Sequence, residues 1–233
     1  MLQGLREQVL EANLELVRRG LVLYTFGNAS GISREEGLVV IKPSGVPYEQ
    51  MKPEHLVVTD LAGNIVEGKL KPSSDLPTHL VLYKEFAEIG GVAHTHSAYA
   101  TAWAQARKPI PCFGTTHADY FHGPVPVTSE MTNLQIAEDY EKNTGHAIVC
   151  SLRQTNPSAT PGVLVANHGP FAWGEDAGTA AHNAVILEAI ARMAYFTLDI
   201  NSAAQPVASG LHDKHYFRKH GKNAYYGQAK DEQ

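Results

Sequence analysis

Two histidines separated by one residue stand at the end of an apolar segment, where residues 91–96 read Gly-Val-Ala-His-Thr-His. On a strand, His94 and His96 would share one face with their Cα atoms about 6.5–7 Å apart. A third histidine, His168, also follows an apolar segment, at 163–166. Imidazole nitrogens suit zinc and its divalent neighbours. If the three side chains converge, they form a three-histidine site that leaves a coordination position open for chemistry.

The surroundings of these histidines bear on whether they bind a metal or only form hydrogen bonds. The chain has 12 histidines in 233 residues, so chance alone gives roughly 0.6 pairs at this spacing. The spacing by itself therefore leaves both interpretations open. Both histidine segments are short apolar runs that end at a polar or glycine-containing turn. Ligands of open α/β sheets bind outside the ends of strands, which favours the metal site.

Three segments of small residues follow extended runs and could bind an anion. They lie at 27–28, 42–45 and 71–75. Small residues let backbone N–H groups approach an anion closely, and hydroxyl groups add further donors. Ser73 and Ser74 precede a helix predicted to begin at Leu76, which adds positive potential. Together with a metal site, these segments predict a small phosphorylated substrate. Asp75 is a candidate carboxylate near the metal, and a helix N-cap is its alternative role.

The hydrophobic patterning predicts one α/β domain over residues 1–233. Strands are predicted at 21–26, 37–41, 56–59, 65–67, 91–96, 125–127, 163–166 and 171–173. Helices are predicted at 1–19, 76–88, 98–107, 133–143 and 176–200. The segments 27–31 and 152–161 are predicted to be loops, and the tail from Asn201 is polar. The short spacing of the first strands predicts antiparallel pairing, because parallel crossovers need more chain.

Composition and charge limit the classes of partner. The formal net charge is −5, and no long basic run is present, which argues against a nucleic-acid partner. No apolar stretch approaches the roughly 20 residues needed to cross a bilayer. The two cysteines are typical of reduced thiols and not of a disulfide framework. These features predict a cytoplasmic protein without a membrane partner.

Seven motifs now indicate a family. They read TFGNASG at 25–31, IKPSGV at 41–46, KPSSDLPTH at 71–79, GGVAHTHS at 90–97, GTTHADYF at 114–121, PGVLVANHGPFAWG at 161–174 and LHDKHYFRKHGKNAYYGQ at 211–228. On these motifs the chain resembles, nearly end to end, the class II, metal-dependent sugar-phosphate aldolases and epimerases. Within this family, the segments at 117–121 and 214–228 favour the ketopentose-phosphate 4-epimerase branch. Fuculose-phosphate-type aldolases usually carry Glu where Asp75 stands.

The resemblance implies a fold and a ligand set. The family fold is a three-layer α/β/α domain with a largely antiparallel sheet. The matching residues His94, His96 and His168 bind zinc in the family, and in the epimerases Asp75 joins them. Manganese or cobalt would also suit these ligands. The matching substrate and phosphate contacts are Gly27, Asn28, Lys42, Ser44, Gly45, Ser73 and Ser74.

The resemblance also implies acid/base residues and an assembly. Asp119 and Tyr226 match the family's two proton-transfer residues, and further candidates nearby are Thr115, His215 and Arg218. Family members form homotetramers whose active sites lie between neighbouring subunits. Asp119 and Tyr226 would then act at the metal of an adjacent chain. The tail at about 201–233 is accordingly expected to contribute to an active site.

The implied reaction inverts C4 of a ketopentose phosphate. The hydrogen on C4 is not acidic, so the expected route breaks the C3–C4 bond and remakes it on the other face. A divalent ion would stabilise the negative charge left by cleavage. Two alternatives remain open. One is a sugar-1-phosphate aldolase of the fuculose or rhamnulose type, which releases both fragments. The other is a non-enzymatic, adducin-like binding domain, although such domains lack the metal histidines.

Overall fold

A seven-stranded sheet forms the centre of the protein, in a computed structural model that describes residues 2–221 and 224–226. The strands are β1 (Asn28–Ser33), β2 (Leu38–Ile41), β3 (Val57–Asp60), β4 (Ile65–Glu67), β5 (Gly91–His94), β6 (Gly162–Val165) and β7 (Gly169–Gly174). Their order in the sheet is β4-β3-β2-β1-β5-β7-β6. Every neighbouring pair is antiparallel.

Eight α-helices surround the sheet within the described ranges. They are α1 (Gln3–Arg18), α2 (Leu76–Glu85), α3 (Ala98–Ala106), α4 (Thr115–Ala118), α5 (Asn133–Ala137), α6 (Tyr140–Ser151), α7 (Ala177–Ile200) and α8 (Ser209–Lys219). Asp176 caps α7 as expected, since its side chain accepts a hydrogen bond from the Thr179 backbone N–H. Among the described residues, no helix is both long and apolar enough to cross a membrane.

Both faces of the sheet are buried, which makes the protein three layers thick. Val39 and Ile41 of β2 pack in a cluster with residues of α2 and α6. Val40, between them, packs on the opposite side with residues of α1 and α7. This alternation follows from the two-residue period of a strand. It confirms the predicted three-layer α/β/α fold with a largely antiparallel sheet.

The layer between the sheet and α7 is thin because small residues line it. Ala93 and Ala172 of the sheet meet the alanine-rich first half of α7. At Gly91 a Cβ atom would lie 2.2 Å from the backbone oxygen of Asp176. The start of β5 therefore touches the start of α7 backbone to backbone, and a side chain at this position has no space.

Replacing Gly91 by Ala is expected to lower the free energy of unfolding by about 3 kcal/mol, because two backbones must separate to admit the methyl group. Urea denaturation of the purified variant measures this change. Gly4→Ala is the matched control, because a Cβ at Gly4 in α1 meets nothing within 4 Å. An unchanged urea midpoint for Gly91→Ala would contradict the close contact.

Two predictions near the N-terminus are wrong. Residues 21–26, predicted as a strand, form turns and irregular backbone, and the predicted loop at 27–31 mostly belongs to β1. The small polar residues that suggest a loop are buried and hydrogen-bonded to distant side chains. The Ala29 N–H donates to Asn13 Oδ1 at 2.8 Å, and Ser30 Oγ lies 2.7 Å from His79 Nδ1. Small side chains are needed here because α1 packs directly on β1.

Three more predictions need correction. The strand predicted at 125–127 contains only isolated bridges, from Val125 to Ile110 and from Val127 to Leu164. The helix predicted at 133–143 is divided into α5 and α6, because Asp139 has φ 51°, which interrupts a right-handed helix. The tail from Asn201, for which no helix was predicted, contains the helix α8. Residues 152–161 form no regular element, as predicted.

Candidate active site

Three histidine side chains converge at one end of the central strands. His94 is the last residue of β5, His96 follows two residues later, and His168 lies in the turn between β6 and β7. Ligand nitrogens of the three lie within 4.8 Å of one another. The ring centroids are 4.7–5.0 Å apart. The convergence predicted from the two apolar segments is therefore present.

The β6–β7 turn delivers His168 to this cluster. The His168 N–H donates to Val165 O at 3.0 Å, and Asn167 takes φ 62°. Asn tolerates this left-handed conformation better than most residues. At Gly169 a Cβ atom would lie 2.8 Å from the Thr95 carbonyl oxygen. A glycine at this position lets β7 approach the end of β5, and the histidines meet as a result.

The protonation states suit a divalent cation. His94 Nδ1 lies 2.9 Å from Pro170 O. A proton on Nδ1 would donate to this carbonyl and leave the Nε2 lone pair free, the usual arrangement of a metal-binding histidine. Burial, together with His94 and His96, lowers the pKa of His168 to about 3. Burial and His94 also lower the pKa of His96. Neutral imidazoles with free lone pairs are what a zinc-type ion requires.

Asp75 lies beside the histidines and does not act as a conventional helix cap. Its side chain makes no capping hydrogen bond to α2. Instead, Asn28 Nδ2 donates to Asp75 Oδ2 at 2.6 Å. Burial acts to raise the pKa of Asp75, but His94, His79 and the Asn28 hydrogen bond outweigh it and lower the pKa. Asp75 is outside the compact three-histidine group and lines the same pocket.

The two Lys-Pro-Ser segments are held against each other. Pro43 and Pro72 form an isolated antiparallel bridge. The Ser44 N–H donates to Lys71 O at 2.9 Å, and the Ser73 N–H donates to Lys42 O at the same distance. The bridge brings the hydroxyl-bearing residues of both segments to one pocket wall, as an anion site requires.

Asn28 connects this wall to the metal candidates. Its Nδ2 donates to Ser73 Oγ at 3.0 Å in addition to Asp75. Its Oδ1 is buried and has no hydrogen-bond partner among the described residues. Buried polar atoms usually have partners, so the free oxygen suits a hydroxyl group of a bound ligand.

Lys42 is the cation of the pocket and is only 2% exposed. Its Nζ donates to Thr25 O and Pro43 O, both at 3.3 Å. Burial lowers the pKa of Lys42 to about 8, although Asp75 opposes the shift. At neutral pH the side chain still carries its positive charge into the pocket.

One pocket of about 390 Å³ contains the predicted metal and substrate residues. The predicted residues that line it are Gly27, Asn28, Lys42, Ser44, Gly45, Ser73, Ser74, Asp75, His94, His96 and His168. Thr25, Phe26, Tyr140 and Glu141 line it as well. Polar groups from six separate parts of the chain therefore face one cavity of a size suited to a small sugar phosphate.

The sequence interpretation missed Tyr140 and Glu141, because it placed both inside one continuous helix. The break at Asp139 turns them into the first residues of α6. Tyr140 OH lies 3.4 Å from His168 Nδ1. Burial, Asp75 and Glu141 raise the pKa of Tyr140, so its hydroxyl stays protonated. No signal in the sequence marks the break, since Asp139 is not a residue that requires a positive φ.

Asp119 lies in a second cluster, formed with α8. Arg218 donates to both carboxylate oxygens, at 2.9 and 2.7 Å. His215 Nδ1 lies 3.0 Å from Oδ1, and Lys219 Nζ is 3.8 Å from Oδ2. Burial alone would raise the pKa of Asp119, but the Arg218 and His215 contacts lower it. The carboxylate is thus held ionised and in a fixed orientation.

Tyr226 joins this second cluster. Arg218 and Lys219 each lie 4.6 Å from the centre of its ring. Thr115 begins α4, the short helix that leads to Asp119. None of the five residues Thr115, Asp119, His215, Arg218 and Tyr226 lines the histidine pocket of its own chain. The structure therefore groups the predicted residues into two sets on one chain.

Comparison with known proteins shows the family of the chain. Residues 7–195 match the family described as Class II Aldolase and Adducin N-terminal domain. The chain is 54% identical over 227 residues to proteins named L-ribulose-5-phosphate 4-epimerase UlaF from Salmonella paratyphi B and Salmonella typhi. In each case the match covers 97% of this chain and 100% of the relative.

Solved structures show the same fold. An L-fuculose 1-phosphate aldolase superposes with a TM-score of 0.79 at 26% identity, covering 92% of this chain and 95% of the aldolase. An L-fuculose-1-phosphate aldolase from Thermus thermophilus shares the fold with a TM-score of 0.68 at 22% identity, covering 87% of this chain and 100% of the aldolase. The chain therefore belongs to the class II aldolase and adducin N-terminal domain family.

Proposed function

We propose that the protein is an L-ribulose-5-phosphate 4-epimerase, which interconverts L-ribulose 5-phosphate and D-xylulose 5-phosphate. The observation that carries the proposal is the single pocket in which three histidines, a carboxylate and two bridged Lys-Pro-Ser segments meet. Full-length identity of 54% to proteins named as this epimerase supports it. The same observations support an enzyme and argue against a binding module without metal ligands.

The pocket residues divide the work of binding. His94, His96 and His168, with Asp75 beside them, would hold a divalent ion, which we propose is zinc. When bound, such an ion supplies Lewis-acid stabilisation of negative charge. The ammonium of Lys42 and the serine-containing segments would hold the phosphate and fix one half of the sugar. Asn28 Oδ1, which has no partner among the described residues, would accept a hydrogen bond from a substrate hydroxyl.

In the proposed route the C3–C4 bond breaks to leave the enediolate of dihydroxyacetone and glycolaldehyde phosphate, the aldehyde group turns its other face to the enediolate, and the bond re-forms. Each face of the aldehyde then needs its own proton-transfer group. Asp119 and Tyr226 fit these roles, with Thr115, His215 and Arg218 as residues that position them. Because both lie away from the pocket of their own chain, we propose that they serve a neighbouring subunit in a homotetramer. The C-terminal segment 201–233 would carry this contribution, although residues 222–223 and 227–233 lie outside the described residues.

Product analysis tests the proposed reaction. The protein is incubated with L-ribulose 5-phosphate, with and without a chelator, and the products are separated by chromatography. D-xylulose 5-phosphate is expected as the product, and the chelator is expected to abolish its formation. Stoichiometric release of dihydroxyacetone and glycolaldehyde phosphate, the two fragments of C3–C4 cleavage, would instead identify an aldolase, the activity in the name of a structural neighbour.

The pH dependence of the reaction is expected to report on Lys42. Because burial lowers the pKa of Lys42 to about 8, its charge is present below that pH and is lost above it. The ratio kcat/KM is therefore expected to fall about tenfold per pH unit above about pH 8. Lys42→Arg should move this fall to higher pH, because a guanidinium keeps its charge. If kcat/KM falls over the same alkaline pH range in both proteins, a group other than Lys42 causes the fall.

A further inference from the structure

We propose that His122, His212 and Asp213 form a second divalent-metal site, which ties the segment after α4 to α8. One ligand atom of each residue lies within 4.8 Å of the other two. His122 comes three residues after Asp119, whereas His212 and Asp213 lie in α8. None of the three residues lines the pocket of the proposed active site.

The distances between the ligand atoms fit a tetrahedral ion. Ligands about 2.0–2.1 Å from a tetrahedral zinc lie about 3.3 Å from one another. His122 Nε2 is 3.2 Å from Asp213 Oδ1. His212 Nδ1 is 3.5 Å from the same oxygen. Both spacings match an edge of the coordination tetrahedron, so the Asp213 carboxylate oxygen already lies at the spacing of a shared ligand from each ring.

Backbone groups around His212 accommodate either of its two neutral forms. Its Nε2 lies 3.1 Å from Phe121 O and 3.0 Å from the Gly123 backbone nitrogen. This atom can donate to the carbonyl or accept from the amide, but it cannot do both. A metal on Nδ1 requires the form in which Nε2–H donates to Phe121 O, the usual outer contact of a metal-binding histidine.

The rings are held in place before any ion binds. The His122 ring packs against Tyr216 and Phe217 of α8, with centroids 4.7 and 5.6 Å away. The His122 and His212 rings are 4.9 Å apart, and the His212 side chain is only 12% exposed. Ordered ligands lose little conformational freedom on binding, which favours metal affinity.

The ligand set selects the class of ion. Two imidazoles and one carboxylate suit zinc, cobalt, nickel or copper, whereas magnesium and calcium prefer oxygen ligands alone. His212 and Asp213 are the fourth and fifth residues of α8 (Ser209–Lys219). The positive potential of a helix N-terminus, which would oppose a cation, falls off within the first turn.

An ion at this site would reinforce the contact that holds Asp119. Arg218 and His215 of α8 already bind the Asp119 carboxylate. The ion would cross-link the same two segments about one helical turn away along α8. The site is therefore structural, and its effect would be to fix α8 against the segment that carries Asp119.

Zinc counting by equilibrium dialysis and atomic emission tests the site, at one free Zn²⁺ concentration for all variants. Wild type is expected to bind two ions per chain. His122→Ala and Asp213→Asn should each bind one, and His96→Asn should also bind one. The combination of His96→Asn with His122→Ala should bind none. His146→Ala is the matched control and should bind two, because His146 is exposed and outside both groups.

A second measurement distinguishes the two sites. Zinc is expected to slow backbone hydrogen exchange across α8 in wild type and in His96→Asn, and to have no such effect in Asp213→Asn. The proposal is overturned if His122→Ala and Asp213→Asn keep the wild-type zinc count. Loss of zinc in His96→Asn concerns the proposed active site alone, so failure of one proposal does not decide the other.

Discussion

The His96→Asn variant is expected to lose the divalent ion of the active-site pocket and at least about a thousandfold of turnover. Removing one imidazole leaves two histidines and a carboxylate that is outside the compact three-histidine group. Lewis-acid stabilisation contributes several kcal/mol to such a transition state, which corresponds to about a thousandfold or more in rate. Metal content by mass spectrometry and kcat with L-ribulose 5-phosphate should therefore fall together.

The control for this variant is His146→Asn, which makes the same change at an exposed histidine away from the pocket. It should retain the metal content and turnover of wild type. Circular dichroism of both variants shows whether the fold is kept. Normal turnover by His96→Asn protein that lacks the pocket ion would rule out the proposed chemistry.

The Asp119→Asn variant is expected to lose about 10²–10⁴-fold in turnover, the range of a single acid/base group, and to keep its pocket metal. Asn has nearly the same shape as Asp and can still accept a hydrogen bond from Arg218, but it cannot take up a proton. Steady-state kinetics and metal content separate this result from that of His96→Asn. Turnover close to wild type would remove Asp119 from the reaction.

Mixing the two variants tests whether one site draws on two chains. A His96→Asn chain retains Asp119, and an Asp119→Asn chain retains the histidines. In randomly mixed tetramers with sites between subunits, about one site in four combines both intact sets. Co-expression should therefore restore about a quarter of wild-type activity. If mixed assemblies form, as judged by native mass spectrometry, and remain inactive, the residues of both sets act within one chain.

Much of the pocket could be predicted from the sequence, because its residues lie where strands end. His94 ends β5, His168 sits in the turn after β6, and Ser44 follows shortly after β2. The local hydrophobic pattern predicts where these strands end, and antiparallel pairing of the strands then brings their ends together. The unbroken apolar run of β2 is likewise typical of a strand that is buried on both faces.

The interpretation of β1 failed because its stabilising partners are remote in the sequence. Asn28, Ser30 and Gly31 are typical of a loop when only their neighbours are considered. In the structure, distant side chains that include Asn13 and Ser73 form hydrogen bonds with buried polar groups of β1. A strand of this composition is stable only with those partners present, so no local window predicts it.

The helix α8 was missed for the same reason. Much of its surface is exposed and polar, and Tyr216 is its one buried residue. Its position depends on contacts between Asp119 and residues 96 and 99 positions later in the chain. Ion pairs at such separation leave no periodic pattern, so the sequence indicated only a polar tail.

A crystal structure with zinc and a substrate analogue, using anomalous scattering to locate the metal, tests the central claim most directly. The account predicts an ion bound by His94, His96 and His168, with Asp75 adjacent and the analogue's phosphate at the Lys42 and Ser44 wall. An active enzyme whose three histidine rings turn away from one another, with no anomalous signal between them, would contradict it.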